Sequence, residues 1–392
     1  MTKKPKSRAQ LSEAIEAARS KQKRLLKKVA STQAKLEKRT RRLRRVEAKL
    51  AQLERRSHTQ RSAGNARAQA GNGKLKPIHV IYNPKSGGAQ DVTLESIVAA
   101  LRSHGLRADV DVKTSARDAR ELASVAADNE ESLVIVAGGD STVEEVAPAL
   151  CGTKTALGIL PIGTMNNIAR SLGVPLDLDD ACALLAAGST RRIDMGHIIT
   201  EGKKGADYFL ETAGLGLTAI AFSAGKAAQK GPLAGLPRAL QKFFDQKPDA
   251  VEVELDDEQK VAASAQLVTA SNAPLMGLNF LIAPDAKMDD GLLDIAIYDG
   301  MGKAELVDYF MAMKDGKRAE NPKVRFFRSR IVRIKAATPL AVDSDKNPLA
   351  DERALHIEVL PQALSMVVGR GIALTLPVEA APAAAALSRT RK

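Results

Sequence analysis

Only two cysteines, Cys151 and Cys182, occur in the 392 residues. That excludes a disulfide framework and an all-cysteine zinc centre, and it fits two reduced packing thiols in a cytosolic protein. No stretch approaches the ~20 consecutive apolar residues that span a bilayer. The start, MTKKPKSRAQLSEA, has a positive flank but no apolar run behind it, so it does not read as a signal peptide. Any membrane contact is therefore expected to be peripheral, at the inner face. Acidic residues are scarce at one end. Residues 1–75 hold 23 Lys and Arg against 5 Asp and Glu, a net +18, while the remaining 317 hold 36 against 41, a net −5. The overall charge of +13 thus joins a mildly acidic body to a very basic arm.

The arm carries a heptad stripe. From Leu11 through Ile15, Ala18, Gln22, Leu25, Val29, Thr32, Leu36, Arg39, Leu43, Val46, Leu50 and Leu53, the spacing alternates between four and three, and ten of these 13 positions are apolar. This is the a/d pattern of a coiled coil and predicts self-association through residues 11–53. At ~1.5 Å per residue the helix would be roughly 65 Å long. Gln22, Thr32 and Arg39 weaken the stripe and restrict its register. The alternative is a solvated basic helix. The arm also lacks Phe, Tyr and Trp, so it has nothing on which single-stranded bases could stack. Anionic lipid, at ~1 kcal/mol per near-surface Lys or Arg, suits it at least as well as nucleic acid. The domain reading is a coiled-coil helix over 1–56, then a Gly-, Ser- and Asn-rich flexible linker over 57–76, with a disordered tail over 379–392.

Regular α/β patterning begins at residue 77. Ile78–Tyr82 reads as a strand followed by Asn83-Pro84-Lys85-Ser86-Gly87-Gly88 and a helix over Val92–Ser103. A second strand (Val110–Val112) and helix (Ala116–Ala127) follow. Leu133–Ala137 is a continuous apolar run, as in a strand buried on both faces. It enters Gly138-Gly139-Asp140-Ser141-Thr142 and a helix over Val143–Leu150. Leu157–Leu160 leads into Pro161-Ile162-Gly163-Thr164-Met165-Asn166-Asn167, with a helix starting near Ile168. Strand, glycine loop and helix, three times over, predict a parallel α/β sheet with its loops at the carboxyl ends, where such sheets bind ligands. Paired glycines let backbone N–H groups approach an anion, and the following helix N-terminus favours phosphate. No Walker A loop or GxGxxG fingerprint is present, which disfavours a P-loop or Rossmann assignment.

These segments resemble the diacylglycerol kinase catalytic-domain family, which includes bacterial lipid kinases and sphingosine kinases. The resemblance rests on Asn83–Gly88, on Gly138–Thr142 with Glu145, on Pro161–Asn166, on Thr114 before Asp118-Ala119, and on Asp289-Asp290-Gly291-Leu292-Leu293-Asp294. It covers residues 77 to about 370 and excludes the arm. It implies an α/β ATP-binding domain over 77–195, a β-sandwich-like lipid-substrate domain over 196–358, and a segment over 359–378 returning to the first domain. Short β-rich runs at Val251–Leu255, Ala265–Ser271, Leu293–Tyr298, Ile331–Ala336 and Leu355–Leu360 agree with the second domain.

By the same resemblance, Asn83, Ser86, Gly87, Thr114, Gly138, Gly139, Ser141, Thr142, Glu145, Gly163, Thr164 and Asn166 would contact ATP or organise its phosphates and magnesium. Lys287, Asp290 and Leu292 would hold a structural magnesium ion, and oxygen ligands suit that ion. Asp289–Gly291 also reads simply as a β-turn. Asp140 and Asp345 would be catalytic, with Asp345 as the base accepting the lipid hydroxyl proton. The implied activity is ATP- and magnesium-dependent transfer of a γ-phosphoryl group to a lipid such as diacylglycerol.

Three positions depart from the family pattern. Asp345 stands where a glutamate is usual, Ser141 where a glycine is usual, and Asn167 where an aspartate is common. These keep open a catalytically weak nucleotide- or lipid-binding module whose coiled coil recruits partners. An NAD kinase shares the Gly138–Thr142 loop pattern but fits Asn83–Gly88 and Pro161–Asn166 poorly. Light scattering of the full chain at micromolar concentration should show an oligomer, and a chain starting at residue 77 a monomer. A full-length monomer would exclude the coiled coil.

Overall fold

A computed structural model of the protein describes residues 77–87, 92–114, 118–199, 207–216, 249–277, 279–313, 316–340, 342–345, 347–349 and 352–369. The predicted coiled coil, linker and tail lie outside the described residues.

The first half alternates strand and helix. It comprises β1 (Ile78–Tyr82), α1 (Leu94–Ser103), β2 (Ala108–Val112), α2 (Ala119–Asp128), β3 (Leu133–Gly138), α3 (Asp140–Leu150) and β4 (Ala156–Pro161), followed by α4 (Asn167–Ser171) and α5 (Leu178–Ala187). The strands pair in parallel in the order β2-β1-β3-β4. Both faces are covered, so successive strand residues divide between two cores. Ile81, Val134, Val136 and Leu157 pack with Leu122, Val146 and Leu150. Val80, Ile135 and Leu160 pack with Ile97, Leu101 and Leu185 on the other face.

Local chemistry sets the helix starts. Thr93 accepts from Ser96 N at 3.3 Å and Asp118 from Glu121 N at 2.7 Å, so α2 begins at Ala119; the expected start at Ala116 lies outside the described residues. Such capping satisfies amides that a helix start leaves without intrahelical partners. Helix α3 starts three residues before the expected Val143, and its N-cap, Gly139, makes no side-chain capping hydrogen bond.

The second half is mainly antiparallel. Its elements are β5 (Thr190–Ile199), β6 (Asp207–Phe209), β7 (Thr212–Gly216), β8 (Asp249–Leu255), β9 (Gln259–Ser271), β10 (Leu275–Met276), β11 (Phe280–Leu281) and β12 (Leu293–Asp299). After α6 (Lys303–Met313) come β13 (Val324–Ser329), β14 (Ile331–Leu340), β15 (Val342–Ser344), β16 (Asn347–Pro348) and β17 (Glu352–Val367). In β8, Val251, Val253 and Leu255 point into a core with Ile295, Val332 and Ile357, while Glu252 and Glu254 alternate outward.

Strand β17 joins the halves. It pairs antiparallel with β14 and β5, and Ser365 and Met366 pair in parallel with Ala156 and Leu157 of β4. Among the described residues, fifteen strands therefore form one connected sheet. A register shift between Leu360 and Leu364 accommodates Gln362 at φ +51°. Across β5 and β6, Gly196 pairs with Phe209, and a Cβ at 196 would lie 1.9 Å from the buried Phe209 ring. The ring cannot yield without disturbing its core, so Gly196→Ala should destabilise the protein by about 1–3 kcal/mol, measured by urea denaturation.

Candidate active site

The three glycine loops meet. A Cβ on Gly163 would come within 2.4 Å of Gly139 Cα, and one on Gly87 within 2.4 Å of Thr164 Oγ1. These close approaches bring the loops after β1, β3 and β4 into one surface, and at Gly163 any side chain would strike backbone. Asn83 Nδ2 donates to Thr142 Oγ1 at 2.8 Å, and Asn83 Oδ1 accepts from Lys85 N at 3.0 Å. Thr142 is buried and also occupies the space a side chain at Gly138 would need. Ser86 N donates to Asn83 O at 3.2 Å, closing the first loop. Thr114 lies exposed just beyond β2. The surface offers backbone amides and the start of α3, and it fits the phosphates of a nucleotide.

Several expected nucleotide contacts are occupied in building the loops. Asn166, at φ +53°, accepts from Gly163 N at 3.0 Å and donates to Pro161 O and Gly163 O, both at 3.0 Å. Glu145 accepts from Ala119 N at 2.8 Å and pairs with Lys113, tying α3 to α2 and to the end of β2. Ser141 is exposed within the first turn of α3 and is not among the positive-φ residues. A helical position accepts serine without backbone strain. Asn167 is fully buried, and its Nδ2 donates to Gly277 O at 3.0 Å. An aspartate at 167 would lack that donor, a physical reason for asparagine here.

The two expected catalytic carboxylates are both buried. Asp140, the first residue of α3, accepts from Ile168 N at 3.0 Å. Asp345 follows β15 at φ +42°, a left-handed position that aspartate tolerates better than most residues. The residue is 2 % exposed, and its carboxylate accepts from Leu210 N, from Glu211 N at 2.8 Å and from Thr212 N at 3.0 Å. Burial, followed by the charge of Glu211, pushes its pKa up from 3.8 to about 7 despite the three amides.

A segment that carries no sequence motif connects the two carboxylates. Asn272 donates from Nδ2 to Leu210 O at 3.1 Å and Asp194 O at 3.0 Å, and its N–H donates to Glu211 O. Five residues later Gly277 O accepts from Asn167, the neighbour of the amide bound by Asp140. Asn272–Gly277 thus links the Asp345 turn to the loop beside Asp140. Asp194, Glu211 and Asn272 are the residues that sequence reasoning missed, because their partners lie far away in the chain.

The Lys287–Leu292 loop is held by protein groups. Asp290 Oδ1 accepts from Leu292 N at 3.2 Å, and its Oδ2 pairs with Arg328. Gly291, at φ +73°, donates its N–H to Asp194 Oδ2 at 2.7 Å. Asp290 thus already serves Leu292 N and Arg328, so a magnesium ion held by Lys287, Asp290 and Leu292 would have to share that carboxylate with the arginine.

The model of the diacylglycerol kinase catalytic domain matches residues 77–198, and that of the YegS C-terminal NAD kinase beta sandwich-like domain matches 215–368. A protein named diacylglycerol kinase from Staphylococcus saprophyticus is 26% identical over 276 residues, 69% of this chain and 88% of the relative. A protein named probable lipid kinase YegS-like from Citrobacter koseri is 30% identical over 290 residues, 73% of this chain and 93% of the relative. A crystal structure of a diacylglycerol kinase from Bacillus anthracis shares the fold at a TM-score of 0.59 and 22% identity, covering 77% of this chain and all of that one.

The raised pKa of Asp345 has a definite sign. Below its ordinary 3.8 both folded and unfolded chains hold the proton; between 3.8 and about 7 only the folded chain holds it. Stability should therefore fall as pH rises through that window and level off above it. Chemical denaturation at pH 5 and pH 8 should show this loss, and Asp345→Asn should reduce it.

Proposed function

This chain belongs to the diacylglycerol kinase catalytic-domain family, and on that premise we propose that it is an ATP- and magnesium-dependent lipid kinase. The acceptor is the hydroxyl of a lipid such as diacylglycerol. The observation that carries this reading is the meeting of the three glycine loops beside the Asp140 turn. Bound ATP with magnesium supplies the γ-phosphoryl group and the positive charge that offsets its oxygens.

The chain's own residues do the positioning. Backbone amides around Gly87, Gly138 and Gly139 hold phosphate oxygens, and the hydroxyls of Ser86, Thr114, Ser141 and Thr164 would join them. The Asn83–Thr142 hydrogen bond keeps the first two loops in register. Asp140 is the carboxylate that would hold magnesium and orient the acceptor. Asp345 takes the acceptor's proton, and burial, which raises its affinity for a proton, strengthens it as a base. Catalysis on this reading is chiefly alignment and charge stabilisation.

The acceptor resides in a membrane, and among the described residues no helix is long and apolar enough to cross one. Peripheral contact then brings the enzyme to its substrate, and an arm of net +18 suits the anionic inner leaflet.

Incubation with γ-labelled ATP and a panel of lipids should yield a labelled lipid. ATP binding without labelling of any lipid would favour the binding module. Asp345→Asn should lower turnover by about 10²–10⁴-fold. Asp140→Asn should also abolish turnover while keeping an oxygen for Ile168 N, so its melting temperature should stay close to that of the parent. Gly163→Ala should weaken ATP binding measured by calorimetry, because its Cβ forces the second and third loops apart.

A further inference from the structure

We propose that the Arg328 guanidinium is the resident cation of the Lys287–Leu292 loop, so that the order of this loop does not depend on a divalent ion. The proposal stands apart from the kinase reading, since it concerns what holds the loop and not the reaction.

Four observations carry it. Arg328 pairs with Asp290 Oδ2, and its Nε lies 3.5 Å from Asp294 Oδ2, so one guanidinium serves two carboxylates. A planar fork is suited to such bridging. Second, Asp294 and Arg328 are cross-strand partners in the β12–β13 register, and Asp294 is only 7 % exposed. Withdrawal of Arg328 would leave a buried carboxylate without its counter-charge, a costly arrangement. Third, the loop is also fixed by Asp194. Its Oδ2 accepts from Gly291 N and its Oδ1 from Gln362 N, both at 2.7 Å, and its own N–H donates to Met288 O at 2.7 Å. Fourth, Asp289 is paired with Arg191 at 2.8 Å. A magnesium ion at Asp290 would sit against the Arg328 charge, and it gives up water reluctantly.

The test is thermal melting of the full chain without nucleotide, in EDTA and in millimolar MgCl2. The quantity read is the magnesium-induced shift in Tm relative to that of Asp290→Asn, which subtracts ions bound elsewhere. The expected shift is zero for the wild type. Arg328→Gln should melt lower than wild type in EDTA and regain about 2–4 °C in MgCl2 through Asp290. Should Arg328→Gln fail to fold in EDTA, its refolded yield with MgCl2 against EDTA gives the same answer: recovery supports the proposal, and no recovery overturns it. A positive wild-type shift overturns it, because an ion then binds at Asp290 beside the arginine. An Arg328→Gln protein that melts like wild type, or that melts lower and ignores magnesium, also overturns it, because the arginine is then an ordinary ion pair.

Discussion

A buried carboxylate needs donors, and for Asp140, Asp194 and Asp345 they are backbone amides of distant segments. Asp140 takes the amide of Ile168, Asp194 those of Gly291 and Gln362, and Asp345 those of residues 210–212. Each pairing satisfies an acid that water no longer reaches, and an amide that a loop leaves without a ladder partner. The same pairings fix where the loops stand. Deleting one acid would therefore do more than lose a charge, because two pieces of backbone would lose their relative placement.

Electrostatics differs among these acids because their donors differ. Asp345 has three amides, but it lies fully buried beside Glu211, and burial outweighs the hydrogen bonds, raising its affinity for a proton. Asp294 is likewise pushed up, to about 6, chiefly by burial and against the pull of Arg328. The glycine loops work the other way. They present glycine backbone and hydroxyls and leave the helix start at Gly139 without a side-chain cap. An anion is thus favoured at one place, and a buried carboxylate of raised proton affinity is held at another.

The parallel half was the more legible part of the sequence. Strands buried on both faces read as apolar runs, such as Leu133–Ala137, and each ends in a glycine loop that a local pattern reveals. The β8 alternation was legible for the same reason. The start of α3 was placed three residues late, because its N-cap, Gly139, has no capping side chain to mark it. Ser141 stands out in the sequence as a departure from the family pattern, and the helical backbone that accepts it is not visible there. The full length of β17, the bulge at Gln362 and the bridge from Asn272 to Gly277 left no local signature. They depend on pairings between residues dozens to more than a hundred positions apart, which no spacing rule encodes.

Strand β17 also orders events during synthesis. Its residues pair with β4, β5 and β14, so the last strand described is the one that closes the sheet. Until Val367 has been made, the inner edge of β4 and the edges of β5 and β14 have no complete partner. Exposed edges invite pairing with other chains, and long-range closure of this kind is slow. A nascent chain would therefore carry three open edges late into translation, and the interval before β17 docks is when aggregation threatens it most.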